Sequence, residues 1–62
     1  MKFEVRTKDP ETLTYGIWNN DMLAFQYIND WDGTETTNLD AANKVCERLN
    51  FKHAWALQSF YL

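Results

Sequence analysis

Polar and apolar residues alternate over residues 2–8, with Phe3, Val5 and Thr7 on one side and Lys2, Glu4, Arg6 and Lys8 on the other. A period of two is the pattern of a strand with one buried and one wet face. Asp9-Pro10-Glu11 follows and reads as a hairpin loop, because proline presets φ for a turn and has no N–H for a sheet ladder. Residues 12–18 are rich in β-branched and aromatic side chains and predict a second strand. Its faces would be Leu13, Tyr15 and Ile17 against Thr12, Thr14, Gly16 and Trp18.

Asn19-Asn20-Asp21 is a second turn signal, and the run from Met22 to Ile28 behind it is apolar on both alternating faces. Two readings compete there. A helix capped by Asn20 would leave only Gln26, Asn29 and Asp30 as a polar arc, with Met22 intruding on it. A third strand is short, aromatic and preceded by a tight turn, and it is preferred, although periodicity alone does not separate such runs. Over residues 39–50 the pattern changes to helical spacing: Leu39, Ala42, Val45, Cys46 and Leu49 share one face, and Asp40, Asn43, Lys44, Glu47 and Arg48 the other. Thr37 or Asn38 can cap the free N–H groups at the start, Asp40 suits the first turn, and Asn50 suits a left-handed exit. Residues 51–62 then read as a closing strand, with Trp55, Leu57 and Tyr61 opposite Ala54, Ala56, Phe60 and Leu62. The expected fold is α+β: a three-stranded antiparallel meander, one amphipathic helix packed on the sheet, and a C-terminal strand, in the order βββαβ.

The 62 residues make one small domain over 1–62, and a chain of that length buries only about 60% of its unfolded surface. Three tryptophans, three tyrosines and four phenylalanines supply the dense apolar volume that a core without staples needs. The single cysteine, Cys46, excludes an internal disulfide and a Cys-based zinc site and fits a cytoplasmic setting. Residues 1–6 hold no apolar run of a secretory signal, and no stretch approaches the roughly 20 apolar residues of a membrane helix. Net charge is -3 and the basic residues form no stripe, which argues against direct phosphate-driven contact with nucleic acid.

One run suggests a named chemistry. Asn29-Asp30-Trp31-Asp32-Gly33-Thr34-Glu35 has part of the spacing of a calcium loop, but with Gly33 at position six the first and twelfth positions fall on Ile28 and Leu39, so both end ligands are missing. Asp, Gly and Thr are also what turns and helix caps demand, and the run is read as the connection into the helix, with no metal and no cofactor expected. Cys46 and His53 are the sole pair resembling a nucleophile and base. Cys46 lies on the apolar stripe, where free cysteine behaves as a small hydrophobe, Ser59 has no second histidine to serve it, and two glycines cannot build a phosphate loop. No catalytic residue is assigned, and the chain is not expected to be an enzyme.

With one helix on one face of a small sheet, the opposite face would carry a set drawn from Trp18, Tyr27, Trp31, Trp55 and Tyr61. Tryptophan and tyrosine are the types enriched in interface hot spots. The expected partner-binding residues are Trp18, Tyr27 and Trp31 with Asp30 and Asp32 as an acidic rim, the partner being another protein or a second copy in a homodimer. In outline, by length, acidity and its three tryptophans, the chain resembles the very short, Trp-rich acidic proteins of bacteriophage and mobile-element genomes. The leading expectation is a non-catalytic protein-binding module, a small inhibitor or modulator that occludes a larger intracellular protein by its aromatic face. A structural homo-oligomer, and a metal- or small-ligand-binding domain using residues 30–35, are the alternatives.

Overall fold

The alternation of the first strand is used as expected. In the computed structural model, which describes residues 1–61 and side chains through residue 57, strand β1 spans Phe3–Asp9 and pairs antiparallel with β2, Thr14–Asn19, which pairs with a short β3, Ala24–Phe25. The sheet order is β1-β2-β3. A single turn of 3-10 helix covers Asn29–Trp31, and helix α1 runs from Leu39 to Tyr61. The register sets Phe3 opposite Asn19, Val5 opposite Ile17 and Thr7 opposite Tyr15. From these positions Phe3 and Ile17 join Ile28 and the helical Ala42, Val45 and Cys46 in the core, with Val5, Tyr15, Trp31 and Leu49 packed around it. Among the described residues Ile17 is the one large side chain with no exposed surface.

Both hairpins close by the same device. In the first, Asp9 pairs with Thr14 and in the second Asn19 pairs with Ala24, so each loop holds four residues. The strand-end side chain accepts backbone N–H groups two or three residues on: Asp9 Oδ1 from Glu11, and Asn19 Oδ1 from Asp21 and Met22. Such Asx turns are local competitors of the strand ladder. Each loop then ends on a leucine in the left-handed region, Leu13 at φ 54° and Leu23 at φ 55°. Leu13 is therefore an exposed turn residue, not a member of the buried face of β2, and the second strand starts at Thr14 instead of residue 12.

The third strand is real but only two residues long. Gln26 N–H still donates to Ile17 C=O, after which the chain leaves the sheet and rejoins it at Thr36, which exchanges two hydrogen bonds with Tyr15. Residues 27–35 are thus an excursion from one interrupted edge. Its neck is an isolated pairing of Ile28 with Gly33, and Asp32 at φ 49° reverses the chain inside it. On the outer face of the sheet Phe25 lies over Gly16, where a Cβ would fall 2.7 Å from the Phe25 ring and 2.8 Å from Thr34 C=O. No side chain fits at that position without moving backbone.

The largest departure from expectation is the C-terminal segment. The helix does not end at Asn50, and the strand expected over residues 51–62 is helical through Tyr61, Leu62 lying outside the described residues. No glycine or proline follows Gly33, and Lys52, Ala54, Ala56 and Leu57 are strong helix formers. Asn38 caps the start, its Oδ1 accepting from Ala41 N–H at 3.1 Å. At 23 residues and about 1.5 Å per residue, α1 is roughly 35 Å long, while β1 at about 3.4 Å per residue spans roughly 24 Å. The helix overhangs the sheet. The longest dimension is 45 Å against 20 and 17 Å, and the surface of 4699 Å² exceeds by about 500 Å² that of a compact protein of this mass.

Candidate interaction surface

The five residues singled out from the sequence do not form one patch. Trp18 is half-buried on the outer face of the sheet, edge-on to Phe25 at 5.2 Å between ring centroids. The Arg6 guanidinium sits 4.5 Å above the Trp18 ring, and Lys8 Nζ 5.4 Å above Phe25. The chain's own cations already occupy these aromatic faces. Trp31 is half-buried and packs against the core cluster. Tyr27, Asp30 and Asp32 are exposed on the excursion.

These three make two separate contacts. Tyr27 Oη donates to Asp32 Oδ1 at 2.6 Å, and that bond, with a smaller contribution from desolvation, raises the phenol above its ordinary value, since ionisation would set two negative charges together. Asp30 faces Arg48 of α1 at 3.7 Å, an exposed pair of small energetic weight. Among the described residues no group of three or more His, Cys, Asp or Glu side chains converges as metal ligands would. Cys46 is buried, and desolvation pushes its thiol up, the Glu4 charge adding to this. Cys46 and His53 are seven residues apart on one helix, about 10 Å along its axis and beyond hydrogen-bond reach. The side chain of Ser59 lies outside the described residues.

Exposed large apolar side chains also occur in the hairpin turns, at Leu13, Met22 and Leu23, and on the last turns of the helix. Phe51 is 63% exposed, Trp55 54% and Leu57 47%, all on the overhang of α1. Beside them a groove of about 610 Å³ runs between β1 and α1, with Met1, Phe3, Val5, Cys46, Phe51 and Ala54 on its walls. Its polar rim is Glu4, Asn43, Glu47 and Asn50, with no Lys or Arg among the lining residues. Glu4 stays ionised more readily than a free carboxyl because it accepts a hydrogen bond from Arg6, and a further one from Asn20.

Asn50 builds this groove. Strand β1 is an edge strand, and the Asn50 side-chain amide takes both backbone groups of Phe3, accepting from its N–H at 3.0 Å and donating to its C=O at 2.9 Å. One amide thereby mimics a neighbouring strand, pins α1 to the sheet edge and blocks part of that edge from pairing with another chain. The residue read as a helix exit is a lock in mid-helix. The overhang was missed for the same reason, and the signal that could have found it is the i, i+3, i+4 spacing of Phe51, Ala54 and Trp55 with no breaker behind it. No helix among the described residues is long and apolar enough to cross a membrane. Comparison with protein-family models, curated proteins and solved structures finds no match to this chain.

Proposed function

We propose that the chain is a non-catalytic protein-binding module, acting as a small inhibitor or modulator that covers part of a larger protein. The observation that carries this reading is the overhang: a domain short of core volume leaves Phe51, Trp55 and Leu57 in water on a helix that continues beyond the sheet. Large apolar side chains left exposed on a projecting helix mark an interaction site, and a helix that lays apolar anchors into a groove is a recurring mode of recognition. The binding residues are then Phe51, Trp55 and Leu57, with Tyr27 and Asp32 as a separate exposed spot. A buried, proton-holding thiol and a distant histidine support the non-catalytic part of the reading.

The test is affinity capture from native lysate with the tagged chain, followed by mass spectrometry. Trp55→Ala should lose a protein that wild type retains, with an unchanged circular dichroism spectrum, while Trp18→Ala should retain it. Capture that survives Trp55→Ala and Leu57→Ala but fails with Trp18→Ala would move the interface to the outer sheet face.

A further inference from the structure

We draw no further inference here: the strongest candidate, the apolar groove between β1 and α1 together with the exposed overhang of α1 beside it, belongs to the surface already described, and nothing in the structure shows what covers it.

Discussion

The two halves of α1 differ in what they touch rather than in what they are made of. Residues 39–50 place Ala42, Val45, Cys46 and Leu49 against Phe3, Val5, Tyr15 and Ile17, and Asn50 bonds both backbone groups of Phe3. Residues 51–57 have an apolar content at least as high, yet Phe51, Trp55 and Leu57 are each about half exposed or more. An isolated segment of that length is a marginal helix, because forming the first turn is costly and each further residue adds little. The pinned half supplies the nucleus, and the overhang propagates from it. Helical structure in the tail thus depends on packing that the tail itself does not make, and its apolar residues are free for another surface.

The widest gap between the halves should appear in amide hydrogen exchange. Val45 and Cys46 should exchange about a thousandfold more slowly than Ala56 and Leu57, since the former open only with the whole domain and the latter by fraying. Equal protection of the two halves would mean that the tail is covered. Next in size, Leu49→Ala should cost about 2 kcal/mol, the lower end for truncating a buried leucine because Leu49 is half-buried. Trp55→Ala, a larger truncation one and a half turns on, should change the monomer's stability by no more than about 0.5 kcal/mol. Urea titration of the two variants side by side measures the contrast, and a Trp55→Ala cost comparable with that of Leu49→Ala would erase it.

Asn50→Ala probes the boundary itself. It strips the partners from Phe3 N–H and C=O, and a loss of about 1 to 2 kcal/mol is expected, the edge remaining partly open to water. Asn50→Asp keeps the acceptor and removes the donor, so it should fall between wild type and alanine at neutral pH. If alanine and wild type unfold together, the amide is decoration and the groove is held by the apolar contacts alone.

Much of the first half of the molecule was legible because its signals are local. The alternation of Phe3 and Val5 with Lys2, Glu4 and Arg6 could suit only a strand with one wet face, and the spacing of Ala42, Val45, Cys46 and Leu49 only a helix on a sheet. The cap could be narrowed to Thr37 or Asn38 because capping is a matter of three residues, and Asn38 is the one that caps. The turns were placed but not measured: Asp9 and Asn19 divert the backbone into Asx turns that end on left-handed Leu13 and Leu23, which removes residues 12 and 13 from β2 and residues 22 and 23 from β3. Leu39, assigned to the buried stripe, is exposed at the first position of the helix.

The candidate surface was less legible than the fold. Pattern does not place Trp18 or Trp31 in the core, yet Trp18 lies beneath Arg6 and Trp31 packs on the core, while Phe51 and Trp55, expected in a strand, are exposed on the helix. Exposure depends on which neighbours arrive from far along the chain, and no short window contains them.

What the sequence determined by itself is therefore the set of elements whose cause lies within a few residues: the first strand, the two turns, the start and stripe of the helix, and a chain with too few apolar contacts of its own to cover every aromatic. The tertiary structure decided the rest. Asn50 and Phe3, 47 residues apart, had to meet before a helix-ending residue could become a clamp. Only that meeting leaves residues 51–57 as a helix in water instead of a strand in the sheet, because short apolar runs fit both periods and the neighbour that is present makes the choice.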